Sequence, residues 1–230
     1  MSESLDIVVL GRGKTGSLVA TVAGGRGHRV QAIGADVNAN ASWLTPENLR
    51  STDVVIDFTA PHAVLANIDA VVRSGKPMVV GTTGWYGELE QVRRLVENSG
   101  TGFLFGANFS YGVNLFFQIV KAAAPALGHG YAGHITEIHH VHKKDALSGT
   151  AVALQRVLQQ AAGAEVRITS VREGDVTGTH TLELSSAGDR ILLSHEAKSR
   201  RTFAEGAVLA AEWMVGRRGF YDFKEVFSEL

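Results

Sequence analysis

The chain has 230 residues, enough for one large domain or two small ones, and its 45% hydrophobic and 20% charged content is that of a globular protein. A formal net charge of −1 gives no overall field to gather nucleic acid or an anionic membrane, so neither is an expected partner. Cysteine is absent, which excludes disulfides, thiolate catalysis and zinc–thiolate or iron–sulfur sites, and no run approaches the roughly 20 apolar residues that span a bilayer.

The opening MSESLD lacks the basic and apolar segments of a secretory signal, so a cytoplasmic protein is the expectation. Asp6 to Leu10 (DIVVL) is a short apolar run ending at Gly11, the pattern of a buried parallel strand. Gly11-Arg12-Gly13-Lys14-Thr15-Gly16 follows, and SLVATVAG then reads as a helix closed by Gly24 and Gly25. Further strands are expected at 28–33, 53–58, 76–80 and 103–105, with a helix at 89–98 before the last. Strands alternating with helices predict an α/β fold, a Rossmann-like doubly wound parallel sheet. After Asn108 the pattern changes. Residues 111–127 and 151–162 read as helices, and 135–141, 166–172, 180–185 and 190–195 as strands. Ala187-Gly188-Asp189 supplies a hairpin turn between the last two. A final helix is expected near 203–215, and the aromatic tail Gly219 to Phe223 could pack back on the first lobe. The expectation is two lobes: residues 1–109 with 201–230, and residues 110–200 as an α+β lobe with a mixed or antiparallel sheet.

Gly11-x-Gly13-x-x-Gly16 stands where a dinucleotide fingerprint belongs, directly after a strand and opening a helix. The glycines permit a tight turn and close backbone approach, and the helix start offers N–H groups to a pyrophosphate. A plain strand–helix turn is the alternative, because a chain with 26 glycines produces chance matches. Asp36 is the nearest acidic residue to take the adenosine ribose hydroxyls, yet Arg26 and Arg29 are close in sequence, so NADH and NADPH both stay open. Asp57 to Pro61, Gly81-Thr82-Thr83 and Ala107-Asn108-Phe109-Ser110 follow the next three strands. Ligands of open α/β sheets bind beyond the carboxyl ends of strands, so these turns face the expected cofactor crevice, with ordinary strand exits as the alternative.

The segment from Glu137 to Thr150 sets three histidines and two lysines within six residues, ahead of Ser148-Gly149-Thr150. A core strand has no reason to collect them, since burying such groups unpaired is costly. On an extended chain His139 and Lys143 share one face about 13 Å apart, and His140 and His142 the other. His139 and Lys143 can therefore meet on one small substrate only if the strand ends near His140 and the loop curls. Ser148 is a natural N-cap. The helix it opens would aim the Gly149 and Thr150 N–H groups at a carboxylate, with His140 or Lys144 adding positive charge. His139 titrates near neutrality and suits a proton donor. Two other readings stay open at this point. His-x-His with Asp145 could ligate zinc, which the adjacent lysines oppose, and the run could be a solvated basic loop. No metal is expected.

The chain resembles the dihydrodipicolinate reductase (4-hydroxy-tetrahydrodipicolinate reductase) family. The matching residues are the Gly11–Gly16 turn, Asp53 to Thr59, Gly81 to Gly84, Ala107 to Asn114, Glu137 to Lys143, Asp145-Ala146 and Ser148 to Ala151. Arg172 to Gly174, Gly178 to His180, Ser194 to Ser199 and Phe203 to Ala207 complete them. The resemblance implies an NADH- or NADPH-dependent oxidoreductase of lysine and diaminopimelate biosynthesis. Its substrate is a small cyclic dicarboxylate that loses water, takes hydride at C4 and takes a proton at a carbanion-like centre. By position, His139 is the proton donor and Lys143 a second catalytic acid, while His140, Gly149 and Thr150 bind substrate carboxylates. The resemblance also implies a homotetramer built through the sheet of the 110–200 lobe, and a cofactor held by the turns of the other lobe. Two departures stand out, Leu147 where the family usually has proline and Thr15 where it often has methionine. A reductase of another cyclic imine dicarboxylate and a non-catalytic nicotinamide-binding regulator are the rival functions. A panel of imines tests the first, and cofactor binding without turnover the second.

Overall fold

The computed structural model describes residues 3–143 and 146–230. The chain divides into two compact units, Met1–Tyr111 with Arg201–Leu230, and Gly112–Arg200. In the first unit, strands β1 (Asp6–Leu10), β2 (Arg29–Ile33), β3 (Val54–Asp57), β4 (Met78–Val80) and β5 (Gly102–Phe105) alternate with helices. The helices are α1 (Lys14–Gly25) after β1, α2 (Pro61–Arg73) after β3 and α3 (Leu89–Ser99) after β4. Helix α4 (Tyr111–Ala123) leads into the second unit, which contains β6 (Ala132–His139), α5 (Gly149–Ala162), β7 (Arg167–Arg172), β8 (Thr179–Ser185) and β9 (Arg190–Glu196). The chain returns to the first unit with α6 (Arg201–Met214), β10 (Gly219–Asp222) and α7 (Phe223–Val226).

The first sheet has the order β10-β5-β4-β3-β1-β2, and every pairing in it is parallel. Its central strands β1, β3, β4 and β5 are largely apolar on both sides because helices cover both faces. Ile7, Val9, Val54, Ile56, Val79 and Leu104 point toward α1 and α6. Val8, Leu10, Val55, Val80, Phe103 and Phe105 point toward α2 and α3. The strand order reverses direction at β1, so the loops leaving β1 and β3 diverge and open a crevice at the carboxyl ends of those strands.

The second sheet, ordered β7-β6-β8-β9, is mixed: β6 pairs parallel with β7, and β6–β8 and β8–β9 are antiparallel. Phe116 and Val120 of α4 and Leu154 and Leu158 of α5 cover Ile135, Leu182 and Leu184 on one face. The expected hairpin turn joins β8 to β9, with Ser186 N–H donating to the Asp189 carbonyl at 2.9 Å.

Several elements differ from expectation. Helix α2 was not expected. Its signal was present, with Pro61 in the first turn and Val64, Ile68, Val71 and Val72 at helical spacing and buried. The tail at Gly219 is not merely packed back but is a sixth parallel strand, β10, paired with β5. Strand β6 spans Ala132–His139 instead of 135–141. It ends there because the His140 N–H donates to the Val176 carbonyl at 2.7 Å and leaves the sheet ladder. Helix α4 stops at Ala123, where Pro125 removes a backbone donor and a 3₁₀ stretch, Ala124–His129, takes over. Among the described residues, no helix is long and apolar enough to cross a membrane.

Candidate active site

In the first unit the glycine turn has the tight packing that its spacing suggests. Gly11 adopts φ +99°, and a Cβ there would lie 2.2 Å from the Phe58 carbonyl oxygen on the neighbouring β3 loop. A Cβ on Gly16 would lie 2.0 Å from the Gly11 carbonyl oxygen. Gly13 differs, since a Cβ there would meet nothing within 4 Å. It is the N-cap of α1, no side chain caps that helix, and its first turn holds no acidic residue. The start of α1 therefore presents N–H groups and positive dipole to an open crevice. That crevice contains a cavity of about 310 Å³ lined by Gly13, Lys14, Thr15, Gly81, Thr82 and Thr83, among others. A neighbouring cavity of about 260 Å³ is lined by Gly11, Arg12, Gly34, Ala35, Asn38 and His62, with others. This geometry fits a dinucleotide: two adjoining cavities meet at an uncapped helix start that backbone can approach closely.

Asp36 follows β2 as expected, and the arginine beside it is Arg12, not Arg26 or Arg29. Arg12 Nη1 lies 4.0 Å from Asp36 Oδ2, and both side chains are exposed. The same guanidinium donates to the Ala32 carbonyl from Nε and Nη2 at 3.2 and 3.0 Å. Arg26 is engaged with Glu212 and Arg29 with Asp6.

Asp57, at the end of β3, is turned inward and fully buried. It accepts hydrogen bonds from Thr82 Oγ1 at 2.6 Å, Thr59 N at 3.0 Å, Thr59 Oγ1 at 2.8 Å and Asn67 Nδ2 at 2.8 Å. Burial pushes its pKa upward, and the bonds from Thr82, Thr59 and Asn67 pull against that. The Thr82 hydroxyl also accepts the Thr59 N–H at 2.7 Å, so it braces the turn internally. Within Gly81-Thr82-Thr83 the exposed side chain is that of Thr83. Of the fifth turn, Ala107 is exposed and Asn108 half-buried, with Asn108 Oδ1 accepting the Ser110 N–H at 2.9 Å. Ser110 is itself buried, and Phe109 belongs to the core, its ring 4.7 Å from that of Phe223.

In the second unit, the two-residue repeat of β6 places Ile135, Glu137 and His139 on its buried face. Strand register supplies their neighbours. Glu137 sits opposite Ser170 on β7 and His180 on β8, His139 opposite Arg172, and His180 opposite His195 on β9. Glu137 is fully buried. Both its oxygens accept the Ser148 backbone N–H at 3.1 Å, and Oε1 accepts Ser170 Oγ at 2.6 Å. The Arg172 guanidinium lies 3.4 Å from Oε1, and His139 Nδ1 lies 3.2 Å from Oε2. Burial alone would raise the Glu137 pKa, but the bonds from Ser148 and Ser170 outweigh it and hold the carboxylate below its ordinary value. The His180 ring is 5.1 Å from the His139 ring, and its Nε2 is 3.0 Å from Ser148 Oγ. Burial, and then the neighbouring His139, lower the His180 pKa to about 4.

Ser148 is the expected N-cap, its Oγ accepting the Ala151 N–H at 3.1 Å. Among the described residues no acceptor is paired with the N–H of Gly149 or Thr150, so the helix start faces outward with both. The chain turns immediately after β6, and the Lys143 N–H donates to the His140 carbonyl at 3.1 Å. This is the curl that His139 and Lys143 need to serve one ligand. His140 and His142 stack obliquely, rings 6.4 Å apart. Lys144 and Asp145 lie outside the described residues, and with them the extra cation and the acidic zinc ligand considered above. Among the described residues, Glu137, His139 and His180 bring potential ligand atoms within 4.8 Å of one another. A cation there would have to displace the Arg172 charge and the Ser170 hydroxyl from the carboxylate.

The sequence model of the dihydrodipicolinate reductase N-terminus matches residues 5–109, and that of its C-terminus residues 112–227. The chain is 35% identical to the 4-hydroxy-tetrahydrodipicolinate reductase of Christiangramia forsetii, covering 98% of this chain and 99% of that one. It is also 35% identical to that of Thiobacillus denitrificans, covering 85% and 84%. Its fold is similar to that of a dipicolinate-bound dihydrodipicolinate reductase from Paenisporosarcina sp. TG-14, with a TM-score of 0.80 and 21% identity over 97% of this chain and all of that one. The chain belongs to the dihydrodipicolinate reductase family.

Proposed function

We propose that this enzyme reduces 4-hydroxy-tetrahydrodipicolinate to tetrahydrodipicolinate in lysine and diaminopimelate biosynthesis, with His139 as proton donor. The observation that carries the reading is the assembly of His139, Glu137 and the Ser148–Thr150 helix start at one end of the second sheet, in a chain matched along both halves by one reductase family. The cofactor is a nicotinamide nucleotide, and when bound it supplies the hydride. Its pyrophosphate would lie on the start of α1 over Gly11, Arg12, Gly13, Lys14, Thr15 and Gly16. Asp36 with Arg12 would meet the ribose, and Gly81, Thr82, Thr83 and the Ala107–Ser110 turn the remainder, Thr82 and Phe109 by backbone only. An aspartate favours the ribose hydroxyl of NADH and an arginine the phosphate of NADPH, so use of both follows from finding them together.

His139 would deliver its proton from Nε2 to the carbanion-like carbon, and Lys143 would act as a second acid. The outward N–H groups of Gly149 and Thr150, with His140, would bind the substrate carboxylates, orienting the ring and neutralising its charge. The first unit is thus the cofactor domain and the second the substrate domain. Assembly into a homotetramer through the second sheet belongs to the same proposal. Its support is that Leu192 and Ile191, on edge strand β9, are 50% and 38% exposed. Oxidation of NADH or NADPH with substrate freshly made by the preceding synthase tests the activity. No oxidation above background with either cofactor would reject it.

A further inference from the structure

A carboxylate buried in the middle of a sheet is expensive unless it is fully engaged, and for packing alone an apolar residue would serve β6 at least as well. Glu137 is engaged on every side. Its partners are the Ser148 N–H, the Ser170 hydroxyl, the Arg172 guanidinium and His139 Nδ1. We propose that Glu137 is a positioning residue for the reduction: it holds the His139 ring by Nδ1 so that Nε2 carries the transferable proton, and through Ser148 it fixes that ring to the helix start that receives a substrate carboxylate. The inference rests on reading His139 as the proton donor.

Three observations carry it. His139 Nδ1 is 3.2 Å from Glu137 Oε2, a close charge contact off the line of a hydrogen bond, so the carboxylate is the acceptor that a small turn of the ring would bring onto an Nδ1–H, leaving the acidic proton to the other nitrogen. Gly178 packs beside Nε2, and an added Cβ there would fall 2.9 Å from that atom and crowd it. The Ser148 N–H reaches both Glu137 oxygens, so ring and helix start share one anchor. The charges around His139 give the anchor an electrostatic role. His180 and, behind it, His195 face it from β8 and β9, Arg172 from β7, and Lys143 acts on the same cluster from the loop. All of these are cationic or neutral. Glu137 is the anion of that set among the described residues, and its charge lies on the side of His139 where it can stabilise an imidazolium, the form a proton donor needs.

The test compares wild-type enzyme with Glu137→Gln and Glu137→Asp. Glu137→Gln should lower kcat by about 10- to 100-fold, the range felt at metal sites when the carboxylate partner of a histidine is lost. KM should change by less than about threefold. The alkaline limb of the kcat–pH profile should move down by about one unit or more, with the same move in the His139 titration seen by ¹⁵N NMR. Glu137→Asp keeps the charge and should restore the limb while recovering only part of the rate. A folded Glu137→Gln whose His139 titration coincides with wild type overturns the proposal, because a purely structural role would not move it. Should that variant fail to fold, the wild-type ring signals decide. Neutral His139 protonated on Nδ1 is expected, and protonation on Nε2 overturns the proposal. Absence of turnover in the wild type would instead reject the proposed activity, and the NMR measurements would still judge the Glu137–His139 pair.

Discussion

In the proposed mechanism His139 and Thr150 divide the labour of the second unit between chemistry and binding. A proton donor contributes typically 10²–10⁴-fold, so His139→Gln should lower kcat by about that factor with a modest change in KM, read by steady-state kinetics. Thr150→Val should mainly raise KM, because it disturbs the helix start that receives a carboxylate. A wild-type kcat in His139→Gln would sink the assigned chemistry. These two residues were legible because their signals are local: a histidine just before a turn, and a serine cap followed by glycine and threonine. Glu137 and Asp57 were not. Glu137 sits at an ordinary alternating position, and what makes it the centre of the site is Ser170, a partner 33 residues along the chain on another strand. Asp57 reads as a ligand-facing residue at a strand exit, and only the buried Thr59, Asn67 and Thr82 show that it braces the loops from within.

Among the elements, the β1–α1 turn depends most on side-chain absence. Gly16→Ala would set a methyl group 2.0 Å from the backbone oxygen of Gly11, which cannot swing away as a side chain could. Overpacking of this kind costs about 1–3 kcal/mol. Thermal unfolding should show that loss, and calorimetry should show nicotinamide cofactor binding weakened at least about tenfold, because the helix start itself must shift. Unchanged cofactor affinity would remove the turn from the proposed site. The central parallel strands were readable because both faces are covered and nearly all their residues are apolar, as in IVVL of β1, VVI of β3 and MVV of β4. Strand β10 was not, since four half-buried residues become a strand only through the free edge of β5.

For the molecule as a whole, His180 makes stability depend on pH. Its folded pKa of about 4 lies below the ordinary 6.5. The unfolded chain therefore binds the extra proton first, and stability present above about pH 6.5 is lost as pH falls toward 4. At about 1.4 kcal/mol per pKa unit, the full effect is on the order of 3 kcal/mol. His195, lowered by burial, acts in the same sense, whereas the raised pKa of Asp57 acts in the opposite one. Thermal denaturation across that window should show a shallower slope in His180→Asn than in wild type, and identical slopes would refute the assignment. On the same scale, Leu192→Asp should reduce the mass seen by light scattering if β9 forms the tetramer contact. A wild-type monomer would end that part of the proposal.

The first unit is written in two stretches of chain, and this sets the order in which it can be completed. Synthesis delivers β1 to β5 first, with the outer edge of β5 bare and the sheet face that α6 later covers still open to water. The residues that close both, Arg201–Met214 and Gly219–Asp222, emerge only after the whole second unit has been made. A bare parallel edge beside exposed valine and isoleucine is a template for pairing with another chain. Pairings this distant in sequence also form slowly. While residues 106–200 are being made, the growing chain is a ready partner for its own neighbours, and slower synthesis of that stretch should lower the yield of folded protein.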